Sequence, residues 1–575
     1  MPEHPLTVPP AAVERQQELW RRFPRWRPRT LDQMLDDAAL EFPERPFVVT
    51  DQRSWSYREI VQWSERIAAG LVASGVQPGD HVALLMANYP EFVAAKFGIA
   101  RAGAVAVPIN FLNRRDELGY VLRQSDAVLL ITMDHFRNLD YLQFLDQLAP
   151  GWENLGGGET FPRLKQVVVF PTGDATARQG SVQFSDFGAN AGAWQAIAHP
   201  GPDSNADIIY TSGTTGPPKG VMLTHDMMLR TAFGSTYGRA FEDGRRILFS
   251  LPMYHVYGYV EGLLAALFVG GAVIPQLKFD PVQTLRAITQ HRASDILLIP
   301  TMTLALLDEL KKPGAHYDLS SLHAVISSGG RAPAYIWQQI FDHLQPDELT
   351  TGYGMTEVTA SSTVTRPGDP MERLLGSNGR LRDVGPAGDP ANGGLLVKYR
   401  VVDPDSGAVL APGQIGELQA RGMGVTAGYY NKPEATATAF TADGWLHSGD
   451  LGRIDTDGYL TLAGRLKESY RCGGEQVLPT EAEDLLVTHP AVLQAHVVPV
   501  PDLRMGEVGV AYVVLRDSPM VTPDELIAFC AGQLARFKVP RHILPIRAED
   551  IPSTPSGRAR KFMLVKMATE ALGLA

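Results

Sequence analysis

The segment 210–220 contains the residue types that bind phosphate. It reads YTSGTTGPPKG and is entered through the apolar strand pattern DIIY. Glycine N–H groups, hydroxyls and an ammonium group can all donate hydrogen bonds to phosphate oxygens. It is not a Walker A loop, because Lys219 is followed by Gly220 rather than by the Ser or Thr that would hold magnesium. A surface turn would need neither the paired threonines nor the lysine, so we interpret the segment as a phosphate-binding loop.

A second group of cations lies near the end of the chain, in PSTPSGRARKF at 552–562. Arg558, Arg560 and Lys561 fall within four residues, directly after a glycine. Taken alone, a short basic run is usually a hydrated surface. Whether these cations meet an anion therefore depends on what the rest of the chain binds.

Composition excludes several classes of function. The 575 residues suggest roughly four structural units at ~150 residues each, with room for a cleft between them. A formal net charge of -11 argues against nucleic acid as the main partner. The longest apolar run, 262–274, is shorter than the ~20 residues that cross a bilayer, and the N-terminus lacks a signal-peptide pattern. We therefore expect no integral membrane association and no secretion.

Two cysteines, Cys472 and Cys530, give neither metal-ligand spacing nor a disulfide framework. This usage is typical of a reducing compartment, so we expect a cytoplasmic protein.

From Asp80 onward the pattern alternates between apolar strands and helices, which is typical of parallel sheets in an α/β protein. We predict a large N-terminal core of doubly wound sheets over 31–466. Residues 1–30 are predicted to form a packed arm, although their mixed aromatics and arginines could also touch a membrane surface or an acidic partner. Residues 136–200, rich in Gly, Asn and Asp, are predicted to be an irregular connection or surface insertion.

After Met371 the sequence changes to short strands separated by turn signals such as DPDSG and DTDG. We predict a small β-barrel-like unit at about 372–463. The remaining residues, 467–575, alternate as a compact α+β unit, which we predict to be mobile about a hinge near 464–469.

Five stretches together resemble one family: YTSGTTGPPKG, SLPMYHVYG, TGYGMTE, GWLHSGD and GRLKESYRCGGEQVLP. They resemble the adenylate-forming superfamily of acyl-CoA synthetases, adenylation domains and luciferases, closest in type to acyl- or aryl-CoA ligases. The resemblance runs from about residue 30 to the end and has the motifs in family order. It implies that a carboxylate attacks the α-phosphate of ATP to give acyl-AMP and pyrophosphate. An acceptor, expected to be the thiol of CoA, then displaces AMP.

The resemblance also implies a nucleotide site. The phosphate loop and a later glycine would hold the nucleotide through Thr211, Ser212, Gly213, Thr214, Thr215, Gly216, Lys219 and Gly330. Tyr353 would face adenine, Thr356 would contact the α-phosphate, and Glu357 would bind Mg²⁺, which prefers carboxylate and phosphate oxygens. Asp450 would accept from the ribose hydroxyls, with Arg465 beside it. The segments ending at Tyr210, Gly329 and Tyr353 lie where predicted strands end, the edge at which open α/β sheets bind ligands.

The acid and CoA sites are implied in the same way. His255 would contact the carboxylate at the mouth of the acyl pocket and then move aside for the thiol. Lys467 occupies the family's hinge position, and Gly473 and Gly474 belong to the loop that lines the pantetheine tunnel, since glycine allows close backbone approach. The pocket wall would include Tyr257, Gly258, Gly329, Arg331 and Gly352. Arg331, where small neutral residues are usual, could pair with an anionic or polar group of the substrate or equally well turn to solvent or a neighbouring acid.

Arg558 departs from the family pattern, which has lysine directly after the glycine to neutralise charge developing between the carboxylate and the α-phosphate. Arginine keeps the charge and can bind phosphate with two parallel N–H bonds, but it is longer and planar. Arg558 could do the lysine's work in a reshaped pocket. Lys561 could replace it, since residues three apart share a helical face. Otherwise the adenylating step would be weak.

The sequence therefore predicts an ATP- and Mg²⁺-dependent ligase that joins a small-molecule carboxylic acid to CoA or to a separate carrier protein. Two alternatives remain at this point. One is an adenylating enzyme with an amine acceptor or an unusual acid such as nitrite, and the other is a nucleotide-binding homologue impaired in adenylation. No residue distinguishes an oxygenase of the luciferase kind, since a fold does not fix a function.

Overall fold

The computed structural model describes residues 10–173, 178, 180–197, 200–211, 217–328, 334–516, 518, 520–553 and 559–574. Within them, apolar strands form two seven-stranded sheets that carry most of the buried core. The first sheet has, in spatial order, the strands Glu348–Thr350, Ala324–Ser327, Asp295–Leu298, Arg246–Phe249, Ala272–Pro275, Pro46–Val49 and Ser54–Ser56. All neighbours are parallel except the last pair.

The second sheet has the order Lys219–Thr224, Asn205–Thr211, Val105–Pro108, His81–Leu85, Leu129–Met133, Gln166–Phe170 and Val182–Gln183. Only its first pair is antiparallel. Parallel strands need crossover helices, which cover both faces and leave the strands buried. The prediction of doubly wound sheets is confirmed.

The prediction for 136–200 was wrong in part. The short run QVVVF forms the buried strand Gln166–Phe170, which pairs in parallel with Leu129–Met133, and Val182–Gln183 extends the sheet by one more strand. A hairpin of His135–Phe136 with Leu139–Asp140 and the helices Tyr141–Leu148 and Trp152–Leu155 lie between. This strand was not predicted because it has only five residues and is surrounded in the sequence by polar and glycine residues.

The α-helices pack on these sheets or complete the C-terminal part. They are Pro10–Arg22, Leu31–Glu41, Tyr57–Ala73, Pro90–Arg101, Arg115–Gln124, His225–Gly238, Pro281–His291, Pro300–Leu310, Ala334–Leu344, Met371–Gly376, Pro433–Ala439, Pro479–Leu486, Pro523–Ala531 and Lys561–Ala571. Two of these helices begin with a side-chain cap, since Ser56 and Thr522 each accept a hydrogen bond from the backbone N–H three residues later. No helix of the described residues is long and apolar enough to span a membrane.

The N-terminal helix is held to the core by the aromatic residues that follow it. Phe23 packs edge-on against Phe233 and Phe268, with ring centres 5.3 and 5.6 Å apart. Trp26 donates its indole N–H to Asp226 Oδ1 at 2.7 Å. These residues lie against protein in this structure rather than facing a membrane.

Three smaller sheets follow along the chain. One has the strands Gly352–Met355, Ala360–Val364 and Arg380–Leu381, and the next has Lys398–Val402, Gly416–Arg421, Leu446–Ile454 and Leu460–Arg465. The last has Glu475–Val477, Tyr470–Cys472, Gly506–Leu515 and Val492–Asp502, with His542–Pro545 beside Gly506–Leu515. Along the chain, mixed α/β sheets are thus followed by short antiparallel strands and then by a sheet with helices packed on it.

The amino ends of the first sheet are held by buried ion pairs. Arg245, which directly precedes the strand Arg246–Phe249, lies 3.2 Å from Asp295 Oδ2 and 3.1 Å from Glu348 Oε2. Asp295 and Glu348 are each the first residue of another strand of the same sheet. Arg239 pairs with Asp295, and Arg15 of the N-terminal helix pairs with Glu348. The network therefore fixes the spacing of three strands and ties the N-terminal helix to them.

A separate buried ion pair joins Lys96 to Asp207, which lies on the strand Asn205–Thr211 that precedes the phosphate loop. The two side chains are 2% and 0% exposed. Burial lowers the pKa of Lys96 and raises the pKa of Asp207, while each charge opposes the shift in its partner. We expect Lys96→Met to lower the free energy of unfolding by ~3–5 kcal/mol, because it leaves the Asp207 carboxylate buried without its cation.

Urea denaturation followed by tryptophan fluorescence would measure this loss. Lys566→Met is the matched control, since Lys566 is 81% exposed and its pair with Glu570 should contribute less than ~1 kcal/mol. Equal denaturation midpoints for the two variants would contradict the importance of the buried pair.

Candidate active site

One cavity of about 660 Å³ lies at the carboxyl ends of the first sheet. Its wall includes the predicted site residues His255, Tyr257, Gly352, Tyr353, Asp450 and Arg465. The C-terminal part closes it with residues that include Thr480, Glu483 and Lys561. Residues from separate motifs, spread over positions 255 to 465, thus line one cavity.

Tyr353, Asp450 and Arg465 form one polar cluster. The Tyr353 hydroxyl donates to Asp450 Oδ2 at 2.7 Å, and Arg465 Nε lies 3.0 Å from Asp450 Oδ1. Asp450 and Arg465 face each other across adjacent antiparallel strands, so their proximity is set by strand register. Burial raises the pKa of Tyr353, so its hydroxyl stays protonated and donating. The arrangement presents carboxylate acceptors beside an aromatic ring, as a ribose and its base require.

His255 is held as a neutral imidazole. Its Nδ1 accepts the backbone N–H of Tyr257 at 3.2 Å, and burial lowers its pKa to about 4. The proton of the neutral ring then lies on Nε2, where it can be donated. Tyr257 begins the π-helix Tyr257–Leu264, a form that often occurs at functional sites, and its hydroxyl is donated to Leu298 O at 3.0 Å.

The backbone is tightly packed around this histidine. A Cβ on Gly258 would lie 2.6 Å from Leu251 O, and a Cβ on Gly352 would lie 2.4 Å from Thr363 O. Neither position has room for a side chain. Gly258 and Gly352 therefore shape the wall by close backbone approach.

Thr356 and Glu357 lie on a short helical turn, Thr356–Val358, that follows the cavity residues Gly354 and Met355. The turn ends at two non-glycine residues with positive φ, Thr359 at 67° and Ala360 at 123°. Such conformations cost ~1–3 kcal/mol each and persist where the surroundings fix them.

A buried glutamate helps to hold these two residues in their positive-φ conformations. Glu261, on the π-helix, accepts the backbone N–H of Ser361 at 3.0 Å and pairs with Arg382 at 3.2 Å. The Thr359 hydroxyl donates to Gly424 O at 2.7 Å. Glu261 thus connects the helix that begins beside His255 to the turn that carries Glu357.

Lys219 and Glu357 approach each other through a residue that the sequence did not single out. Tyr429 donates its hydroxyl to Glu357 Oε1 at 3.0 Å, and Lys219 Nζ lies 4.7 Å from the centre of the Tyr429 ring. Burial raises the pKa of Glu357, although nearby cations including Lys219 act in the opposite direction. The partly buried carboxylate of Glu357 is therefore suited to binding a cation.

The phosphate-loop segment is the connection of a β-hairpin. Thr211 and Lys219 face each other at the ends of Asn205–Thr211 and Lys219–Thr224. The predicted residues between them, Ser212, Gly213, Thr214, Thr215 and Gly216, lie outside the described residues, as do Gly329, Gly330, Arg331 and Arg558. Described neighbours of these segments do line the cavity: Ser328, whose hydroxyl donates to Gly352 O at 2.6 Å, and also Ser553 and Ala559.

Several predicted residues do not line the cavity itself. Lys467 lies in the short helical turn Leu466–Glu468. Gly473 and Gly474 form the turn of a hairpin with φ of 62° and 89°, and Gly473 N donates to Met505 O at 2.8 Å. The lining also lacks five other predicted residues, namely Thr211, Lys219, Gly258, Thr356 and Glu357. Among the described residues, the cavity thus combines the predicted adenine and ribose residues with the acid motif, but it does not include Lys219, Glu357 or the predicted CoA loop.

Lys561 lies in the cavity wall with its ammonium group engaged by two carboxylates. Its Nζ is 2.7 Å from Glu483 Oε1 and 3.2 Å from Glu468 Oε2. Burial acts to lower its pKa, but the two glutamates together raise it, so the lysine stays charged. Glu483 Oε1 also accepts Val497 N at 2.7 Å, which fixes it to the sheet. These contacts favour a positioning role for Lys561 over direct replacement of the family lysine.

Comparisons with known proteins agree with this arrangement. A family model described as AMP-binding enzyme matches residues 35–430, and one described as AMP-binding enzyme C-terminal domain matches residues 481–558. A putative acyl-CoA synthetase of Bacillus subtilis is 34% identical over 558 residues, covering 95% of this chain and 98% of the relative. A mitochondrial medium-chain acyl-CoA ligase of Danio rerio is 31% identical over 562 residues, covering 95% and 89%. The crystal structure of ATP-bound MatB from Rhodopseudomonas palustris superposes with a TM-score of 0.80 at 27% identity, covering 94% and 99%.

The chain belongs to the AMP-binding enzyme family, whose models cover both its core and its C-terminal part. Within that family it is an AMP-forming acid–thiol ligase of the acyl-CoA synthetase type. It activates a carboxylic acid with ATP as an acyl adenylate and then forms the CoA thioester. The predicted fold class and activity are confirmed, and the family relationship does not support the two alternative activities.

The low pKa of His255 predicts an acid-sensitive contribution to stability. The folded-state pKa of about 4 lies below the ordinary value of 6.5, so the unfolded chain binds more protons between these values. The contribution is complete above pH 6.5 and is lost as the pH falls towards 4. We expect native stability to drop more steeply over this range than that of His255→Gln, measured by urea midpoints at pH 7 and pH 5.

His316→Gln, at an exposed position, serves as the control for removing a histidine. If His255→Gln loses as much stability between pH 7 and pH 5 as the native chain does, His255 is not held neutral by its surroundings.

Removal of the Lys561 ammonium tests its role. We expect Lys561→Met to reduce acid-dependent ATP–pyrophosphate exchange by about tenfold, because Glu468 and Glu483 would lose the ammonium group they share and the start of the helix Lys561–Ala571 would shift. Lys561→Arg should keep most of the exchange. A direct contact with the transition state would instead cost ~100–1000-fold in both variants.

The matched control is Lys566→Met, five residues further along the same helix and 81% exposed. If Lys561→Met exchanges pyrophosphate at the native rate, the ion pairs of Lys561 with Glu468 and Glu483 have no part in the first step.

Proposed function

We propose that the acid activated by this ligase carries an apolar acyl group without a second charge. The observation that carries the proposal is the division of the cavity wall. The wall combines the polar cluster of Tyr353, Asp450 and Arg465 with an apolar surface. That surface is formed by Val256, Tyr257, Ile299, Leu304 and Ile336.

The apolar wall offers little to a second anion among the described residues. The Tyr257 hydroxyl is already donated to Leu298 O, and His255 is uncharged at neutral pH. A carboxylate buried there without a partner would be strongly unfavourable, whereas each buried methylene contributes ~0.8 kcal/mol. The relative from Danio rerio is named for a medium-chain acid of this kind.

In the first step a carboxylate oxygen attacks the α-phosphorus of ATP, the bond to pyrophosphate breaks, and acyl-AMP forms. We assign the nucleotide's ribose to Asp450, its base to the face of Tyr353 and its α-phosphate to the Thr356 hydroxyl. The Nε2–H of His255 would donate to the acid's carboxylate and orient it. Arg558 would neutralise charge developing between carboxylate and phosphate, since a preorganised cation is most effective where charge develops.

In the second step the sulfur of CoA attacks the acyl carbon, its thiol proton is released, and the bond from the carbonyl carbon to AMP breaks. Because the acyl adenylate has no free carboxylate, a neutral His255 has only a hydrogen bond to release before the thiol approaches. Gly473 and Gly474 are proposed for the approach of the pantetheine arm. A separate carrier protein in place of CoA would use the same chemistry.

A divalent cation fits beside Glu357. The described residues contain no group of three or more His, Cys, Asp or Glu that could hold a metal alone. Mg²⁺ is typically held by one or two carboxylates completed by substrate phosphates, and Glu357 offers one carboxylate next to Lys219 and Tyr429. We propose that Glu357 holds Mg²⁺, which would neutralise phosphate charge.

The two unpaired, buried cysteines also support a cytoplasmic location.

Acid-dependent ATP–pyrophosphate exchange without CoA tests the substrate class. We expect octanoate or cinnamate to support exchange at least ~10-fold faster than succinate or glutarate, because a second carboxylate would leave an unpaired charge at the apolar wall. Nitrite should also be slower, because it has no acyl group to bury there. Arg558→Lys measured beside the native protein shows whether arginine supports the first step. Exchange with the dicarboxylic acids at the rate of octanoate would contradict the proposal.

Arg331→Gly supplies a control for that outcome. If dicarboxylic acids are used by the native protein and lost in Arg331→Gly, Arg331 pairs with the second carboxylate. Exchange that appears only in Arg558→Lys would mean that the native chain is impaired in adenylation.

A further inference from the structure

Tyr429 contacts two groups that would hold the triphosphate, and no motif marks it. Its side chain is buried, with 8% of the residue exposed. Its hydroxyl donates to Glu357 Oε1 at 3.0 Å, while Lys219 Nζ lies 4.7 Å from its ring centre. One aromatic side chain therefore meets an anion at its hydroxyl and a cation near its ring, the two contacts that its polarity favours.

The backbone around Tyr429 is fixed to the strand that begins with Lys219. Val221 and Tyr429 form a β-bridge, Met222 N donates to Gly428 O at 3.2 Å, and Tyr430 N donates to Gly220 O at 2.8 Å. These contacts make the segment behave as a short additional strand beside Lys219–Thr224. These contacts fix the position of the Tyr429 ring beside the beginning of the strand Lys219–Thr224.

The same segment is fixed to the turn that carries Glu357. Thr426 N donates to Glu357 O at 2.9 Å, and the Thr426 hydroxyl donates to Met222 O at 2.7 Å. Tyr429 N donates to the Thr436 hydroxyl at 3.0 Å, which ties the segment to the helix Pro433–Ala439. The segment therefore connects the hairpin and the turn through backbone and side-chain contacts alike.

From this geometry we propose that Tyr429 is a positioning residue that sets Lys219 and Glu357 as a pair, one for phosphate oxygens and one for the divalent cation. The inference rests on the proposed roles of those two residues. Tyr429 itself need not touch the nucleotide. Its hydroxyl orients the carboxylate, and its ring keeps the ammonium from folding onto that carboxylate and cancelling its charge.

Two substitutions separate the two contacts. Tyr429→Phe removes the hydroxyl and keeps the ring, so the contact with Lys219 survives while Glu357 loses its donor. Tyr429→Leu removes both. Tyr430→Phe is the matched control, because the hydroxyl of this neighbouring tyrosine is donated to Asp126 Oδ2 at 3.0 Å, away from both groups.

The readout is equilibrium ATP binding by titration calorimetry, in EDTA and in excess Mg²⁺. For Tyr429→Phe we expect ATP affinity in EDTA to stay within about twofold of native, while the gain in affinity on adding Mg²⁺ falls on the order of tenfold. For Tyr429→Leu we expect the same loss of the Mg²⁺ gain and a further decrease of about threefold in EDTA. Tyr430→Phe should match the native protein in both conditions.

A role in packing alone would lower the melting temperature without changing the Mg²⁺ gain, so thermal melting is recorded for each variant. An unchanged Mg²⁺ gain in both Tyr429 variants would overturn the inference. If native protein binds ATP equally well with and without Mg²⁺, the assignment of Glu357 fails instead, which distinguishes the two. Native kcat with a raised KM for ATP in Tyr429→Leu would further support positioning.

Discussion

The carboxyl ends of four adjacent parallel strands are the constraint on which the active site depends. Arg246–Phe249, Asp295–Leu298, Ala324–Ser327 and Glu348–Thr350 are consecutive neighbours in one sheet. Because parallel strands end at the same edge, the residues that follow them must meet there. His255, Ile299, Ser328 and Gly352 follow these four strands in turn, and all line one cavity. A single strand out of register would remove one wall of the site.

The opposite edge of the same sheet is held by charge. Arg245, Asp295 and Glu348 lie at the amino ends of three of these strands with no or almost no exposure of their side chains. Buried ion pairs add little net stability compared with apolar residues of the same shape, but removing one partner is costly. We therefore interpret the network as specifying the order of these strands rather than as adding stability, and its residues lie away from the carboxyl edge where the cavity is found.

The cavity is completed by residues from both the core and the C-terminal part. Lys561 bridges Glu468, next to the predicted hinge, and Glu483, which is in turn fixed to the sheet through Val497. The loop that contains Arg558 is bounded by Ser553 and Ala559, which pair as a β-bridge and line the cavity. The ion pairs of Lys561 and the pairing of Ser553 with Ala559 hold the described flanks of this segment in the cavity wall.

By itself, the sequence determined the sheets and the chemistry. The alternation of apolar strands and helices predicted the parallel sheets, whose strands are buried on both faces. The adenylating activity followed from the resemblance of five motifs to a known family, and the family models confirm it. The prediction from sequence failed at Gln166–Phe170, where five apolar residues are too few to stand out from a polar surrounding.

Only the tertiary structure decided which long-range pairs form. Tyr429 reaches Glu357 across 72 positions, and no local pattern could identify that partner. The same holds for Lys561 with its two glutamates and for the neutral state of His255, which follows from burial rather than from its neighbours in sequence. Residue type fixes what a side chain can do, whereas its distance, burial and partners arise only when the sheets bring separate segments together.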